Sequence, residues 1–276
     1  MRPLQPELTM FENLYSYVSI FVRSTKASFA YRSTTVTNVI TATFIYAVPL
    51  LVWRQVYAQN PQAITVSQAQ MFPYLLLACC VNYSLSMGVE FRIGQRIRMG
   101  LIATDLLKPV DFQVSQGAQC IGDAVFNTML GTVVFFCGLL LLGHTVLPAD
   151  LGSFALFLVS FALAFLIMYN VCFVFSLVAF YTNSGYGAVT ARMALTQAFS
   201  GMAAPLSLYP PFLKTIGQWL PFQHTIYTPV SIYMGWVKDG QALDLLLQQA
   251  AWVAGLFLLG KIVMNNALKQ LEVQGG

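Results

Sequence analysis

The residues able to do chemistry in this sequence are few and thinly spread. Gly255-Leu256-Phe257-Leu258-Leu259-Gly260-Lys261 fits the opening of a phosphate-binding loop. The fit ends where magnesium would be held, because Ile262 stands in place of Ser/Thr and the run lies inside an apolar helical stretch. The chain is therefore read as having no ATP site of its own. Its two histidines, His144 and His224, fall in separate outer segments without acidic neighbours, which suits neither a metal site nor a catalytic dyad. No serine sits in a nucleophile elbow. The five cysteines, Cys79, Cys80, Cys120, Cys137 and Cys172, lie in or beside apolar runs and read as small hydrophobes. Asn82-Tyr83-Ser84 has the form of a glycosylation acceptor but lies within an apolar run. What remains is ionic. Arg92, Arg96, Arg98 and Lys108 alternate with Glu90, Asp105 and Asp111, and one further acid, Asp123, enters an apolar stretch. Such a set suits meeting a partner or fixing topology, not making or breaking bonds.

The elements that must position these charges are membrane helices. The chain is 57% hydrophobic with mean hydropathy +0.67 and only 9% charged, values foreign to a soluble domain of 276 residues. The apolar runs are continuous over about 20 residues, the length of a spanning helix, and do not alternate over about 10 as barrel strands do. The expected fold class is an all-α membrane protein with six transmembrane helices. The spans are read at 36–56, 71–88, 117–142, 151–181, 186–208 and 243–263. Ahead of them, Phe11, Leu14, Tyr15, Val18 and Phe21 recur at helical spacing, followed by Arg23, Lys26 and Arg32. Thr9 to Glu12 reads as a capping box, so residues 1–34 are read as a cytoplasmic tail and an amphipathic interfacial helix, with 35–276 as the six-helix transmembrane domain. A short soluble tail helix is the competing reading. No signal-like segment with a cleavage site is evident in the first 30 residues.

Orientation follows from the cations. With the N-terminus inside, eleven of the 14 Lys and Arg residues fall on the inner side, leaving Arg54, Lys214 and Lys238 outside. That asymmetry places both termini in the cytoplasm. The net charge of +4 points to anionic headgroups, not nucleic acid. Asp123 either pairs with Arg92 or Arg192 beside a cavity, or marks the interface if its span begins near Ala124. Between Ser200 and Gly235, Pro205, Pro210, Pro211, Pro221 and Pro229 break any long helix while Phe212, Trp219, Phe222, Tyr227 and Tyr233 favour the membrane interface. A re-entrant or interfacial hairpin over about 205–235, before the last span, fits both facts; an ordinary folded outer loop is the competing reading.

Three places then resemble the permease subunits of type-two ABC exporters, in their short six-span, drug-efflux-like branch. They are the basic stretch ending Leu106-Leu107-Lys108-Pro109, the block holding Ser200-Gly201, Pro205, Tyr209-Pro210, Leu220-Pro221-Phe222, Pro229 and Tyr233-Met234-Gly235, and the amphipathic helix before the first span. The resemblance implies two permeases, identical or sister chains, and two cytoplasmic ABC ATPase subunits that carry ATP and magnesium. It implies a coupling helix over about 91–108 that docks into the ATPase. The residues agree with that reading. Ile93, Ile97 and Leu101 form an apolar stripe at helical spacing, and Arg92, Arg96, Arg98, Asp105 and Lys108 can meet a partner's charges. A basic loop that merely fixes topology is the competing reading. Asp123, Tyr209, Phe212, Trp219 and Phe222 are the candidates for a pathway or gate. The expected activity is non-enzymatic export of a hydrophobic or amphipathic, drug-like or lipidic substrate across a bacterial inner membrane. Polysaccharide or lipid-linked glycan is second. An ion-coupled transporter is disfavoured by the single intramembrane acid. Ala191-Arg192 is only a faint, uncopied echo of the signature of a vitamin-importer subunit.

Overall fold

A computed structural model describes residues 10–30, 32–59, 66–142, 147–182, 185–237 and 239–274. The described residues form helices and no strand: α1 Met10–Ala30, α2 Arg32–Gln59, α3 Gln68–Ser84, α4 Val89–Arg98, α5 Ile102–Leu106, α6 Phe112–Leu142, α7 Leu151–Ser176, α8 Tyr186–Phe199, α9 Pro211–Gln218, α10 Tyr227–Tyr233 and α11 Asp239–Gln274. Short 3-10 turns at Leu177–Phe180, Leu206–Leu208 and Pro221–His224 join or extend them. The chain is an all-α membrane protein. Thr9 of the expected capping box and His144 lie outside the described residues.

Lipid gives helices no hydrophobic reason to associate, so contact depends on small residues, polar bonds and close fit. α3 is the centre, with Tyr74, Leu75 and Leu76 buried, and α2, α6 and α10 pack around it. Glycines let α6 come close to its neighbours. A Cβ at Gly122 would sit 2.7 Å from the Phe21 carbonyl of α1, and one at Gly138 would sit 2.9 Å from Leu76 of α3. The Tyr46 hydroxyl of α2 donates to the Gly131 carbonyl over 2.9 Å. On the other side α7 packs along α11 and receives α4, α8 and α10. The two halves are tied by buried amides: Gln113 of α6 donates to Asn170 of α7 over 2.9 Å and to the Phe257 carbonyl of α11 over 3.3 Å.

Among the described residues, five stretches are long and apolar enough to cross a membrane, at 39–59, 68–98, 112–140, 151–180 and 240–269. The fifth expected span differs. α8 has 14 residues, about 21 Å of helix against about 30 Å of hydrocarbon. It begins beside α4 and ends at Gly201, whose φ of +82° favours glycine and reverses the chain. Tyr74 donates to the Gly201 carbonyl over 2.5 Å, and the Trp53 indole donates to the Ala203 carbonyl over 2.7 Å. The prolines then divide the chain into α9, a 3-10 turn and α10. α10 ends against the start of α7, where the Ala149 amide donates to the Tyr233 carbonyl over 3.3 Å. The segment from Tyr186 to Tyr233 thus passes from one end of the bundle to the other in pieces.

The expected hairpin over 205–235 is two unlike helices. α9 leaves Phe212, Ile216 and Trp219 exposed, whereas the 3-10 turn and α10 are buried against α7 and α3. A polar clamp secures the buried part. Gln249 of α11 accepts from Ser160 of α7 over 2.9 Å and donates to the His224 carbonyl over 2.8 Å. The His224 ring lies 3.1 Å from the Thr228 hydroxyl.

Candidate functional site: the ionic end of the bundle

The expected single helix over 91–108 is two helices joined by an elbow. α4 places Glu90 in its first turn and Arg96 and Arg98 in its last, matching the helix dipole. It ends in a Schellman motif: the Leu101 amide donates to the Arg96 carbonyl over 2.9 Å and the Gly100 amide to the Ile97 carbonyl over 3.0 Å. Gly100 supplies the φ of +69° that this turn requires. The turn cuts the predicted stripe. Ile93 is buried inside the protein, Ile97 is half-buried, and Leu101 is carried past the bend into exposure. Apolar spacing therefore marks the face α4 turns to its own core.

The charges mostly turn to acids of this chain, the first of them to the acid that the sequence offered it. Arg92 Nη1 meets Asp123 Oδ2 of α6 at 2.6 Å. Arg96 and Lys108 both bind Asp105, the lysine at 2.8 Å. Three of the four cations expected to meet a partner are thus bound to acids of this chain; Arg98 is exposed and has no ion pair among the described residues. Two further pairs were not anticipated. Arg192 of α8 grips Glu90 of α4 through two bonds of 2.8 Å, with the Glu90 side chain fully buried. Asp111 caps α6 by accepting from the Val114 amide over 2.9 Å and pairs with Lys261 of α11. Only the lone arginine in an apolar stretch hinted at the first; nothing in the sequence marked the second.

Asp123 is answered by geometry. α6 has 31 residues, about 46 Å, which exceeds the hydrocarbon by about 16 Å. Its C-terminal turns, from Val133 to Leu142, are apolar, so the surplus of about eleven residues lies at the start and brings the boundary to Asp123. The helix begins far before Ala124, so the later start is not seen. Asp123 is paired with Arg92, as the first reading has it, and by helix length alone falls near the hydrocarbon boundary. α1 leans lengthwise on this overhang. Tyr17 receives the Asp111 amide at 3.0 Å, Ser24 donates to Asp123 over 2.5 Å and Ser28 over 3.2 Å, and Phe29 stands edge-on to Phe126. The apolar residues Leu14, Tyr15, Val18 and Val22 of α1 face outward.

At the elbow Met99, Leu101 and Leu107 are exposed beside Arg98, with Phe91 exposed one face back on α4. The proposed gate residues do not converge. Asp123 is engaged at the α1–α6 contact, Phe212 and Trp219 are on the open face of α9, Tyr209 is half-buried, and Phe222 is buried with Ile167, Val171 and Leu256. The phosphate-loop-like run lies within α11, where Gly260 abuts the Gln113 amide and Lys261 is held by Asp111; neither is free to cradle a phosphate. The described residues contain no cluster of three or more His, Cys, Asp or Glu able to hold a metal.

No curated protein matches the chain. Residues 44–275 match the family described as ABC-2 family transporter protein. The match takes in every long apolar helix from within α2 to α11, including the elbow and the broken segment, and the chain belongs to the ABC-2 family of transporter proteins.

Proposed function

We propose that this chain is the permease of an ABC exporter whose ATPase, a separate cytoplasmic chain carrying ATP and magnesium, docks on the α4–α5 elbow. The family makes it a membrane permease of an ABC transporter and implies an ABC ATPase partner. The observation that carries the docking reading is the exposed group Arg98, Met99, Leu101 and Leu107 at the ion-rich end. Large apolar side chains beside a cation, at an end too charged for hydrocarbon, suit a protein partner. Binding there would move α4, and the buried Glu90–Arg192 pair would pass that movement to α8 and the broken segment beyond it. The chain itself acts as a transport subunit, not an enzyme. A second permease, identical or a sister chain, would complete the pathway. The substrate is a hydrophobic or amphipathic molecule, because the exposed faces of α2 and α9 are apolar and aromatic. The membrane would be a bacterial inner membrane, and the cation asymmetry supports an orientation with both termini cytoplasmic.

Co-purification with the product of an adjacent ATPase gene tests this directly. Arg98→Glu combined with Met99→Glu should abolish retention of the ATPase and substrate-stimulated hydrolysis while leaving membrane insertion intact. Undiminished retention would remove the elbow as the docking site.

A further inference from the structure

A cleft of about 620 Å³ opens between α1, the α4–α5 elbow and the overhanging base of α6. We infer that it binds the phosphate of an anionic phospholipid headgroup from the leaflet facing the ionic end. This goes beyond permease function and needs no ATPase.

Charge supplies the first argument. Arg23, Arg92, Arg96 and Lys108 line the cleft against two carboxylates, Asp105 and Asp123, leaving an excess of two positive charges. Hydrogen-bonding capacity supplies the second. Asp123 already accepts from Arg92, Ser24 and Ser28, and Asp105 from Arg96 and Lys108. Among the residues lining the cleft, Arg92 Nε and Gln116 Oε1 are buried without a partner. The cationic donors still outnumber the carboxylates, because Arg23 is exposed there with no ion pair among the described residues. Arginine presents five N–H donors and a phosphate several acceptor oxygens, so one phosphate would satisfy what the carboxylates cannot.

Position supplies the third. The cleft runs from Val110 and Phe112 up to Asp123, and the length of α6 sets the hydrocarbon boundary at about that residue. Headgroups occupy this level. Phe29 of α1, partly exposed and edge-on to Phe126 just past Asp123, offers adjoining surface to acyl chains. A cleft of this size is ordinary for a small ligand, and its placement selects a lipid over a soluble anion.

The test uses the full chain in uncharged detergent, titrated with dioctanoyl phosphatidylglycerol, dioctanoyl phosphatidylcholine or inorganic phosphate, and followed by calorimetry and native mass spectrometry. One phosphatidylglycerol per chain should bind saturably, while phosphatidylcholine and inorganic phosphate should not. Arg23→Gln should weaken that binding about fivefold, as expected for one interfacial cation, with Arg23→Lys retaining most of it. Lys26→Gln, on the same helix but outside the cleft, should change nothing. Equal binding of phosphatidylcholine, or equal loss in Lys26→Gln, would overturn the site. Equal binding of inorganic phosphate would make it a free-anion site and overturn the lipid assignment. Absence of saturable lipid binding, as expected if an acidic protein segment fills the cleft, would also end the proposal.

Discussion

At the scale of single residues, the Glu90–Arg192 pair separates stability from transmission. Removing one member of a buried ion pair leaves an uncompensated charge, whereas apolar replacement of both is often tolerated. Glu90→Gln should therefore lower stability by roughly 3 kcal/mol, read as a fall in the thermal denaturation midpoint of the purified permease. Glu90→Leu with Arg192→Met should recover most of that loss, yet transport should stay low if the pair links α4 to α8. Recovery of transport together with stability would reduce the pair to a structural contact. Neither partner was legible as a pair. Glu90 and Arg192 are 102 residues apart, and the sequence offered Arg192 to Asp123 as a partner, not to Glu90.

At the scale of elements, two glycines carry the local geometry. Gly100 has open space around it but a left-handed φ of +69°, so its substitution acts through backbone conformation alone. Gly100→Val should weaken ATPase stimulation, while Gly100→Asn, which tolerates that conformation, should preserve it; ATP hydrolysis by the assembled transporter decides. Gly122 is the opposite case, with an ordinary φ and no room. Gly122→Leu should push α1 off α6, cost roughly 2 kcal/mol, and abolish disulfide trapping between cysteines placed at Ser24 and Gln119. Persistent trapping would mean that α1 adjusts without leaving. The long helices were readable from unbroken apolar runs: α7 with its 3-10 extension, Leu151–Phe180, ends one residue from the predicted limit. The elbow was less readable because the Ile93, Ile97 and Leu101 spacing suggested continuity. Gly100 after two arginine-bearing turns was the stop signal set against it.

At the scale of the whole molecule, the ion pairs gather at one end, which the cation count assigns to the cytoplasm. In a cysteine-free background, a cysteine at exposed Ser67 should react with an impermeant maleimide from outside, and one at exposed Asn265 only after the inner face is opened. The reverse pattern would invert the orientation. Fold class and the ionic end were legible because apolar run length and cation asymmetry are bulk properties. The course of 186–233 was less so: its prolines announced breaks, but tertiary bonds such as Tyr74 to Gly201 decide where the pieces lie.

The shortness of α8 also bears on how the chain is made. A helix of 14 residues with Arg192 in its second turn is a poor candidate for lateral release from a translocon, where a central arginine costs about 2.5–3.5 kcal/mol. Glu90, already delivered with the earlier helices, offers that arginine its counter-charge, and Gln249 of the later α11 clamps the segment at His224. This part of the permease should therefore enter the bilayer late, as a passenger between helices already placed and one still being synthesised.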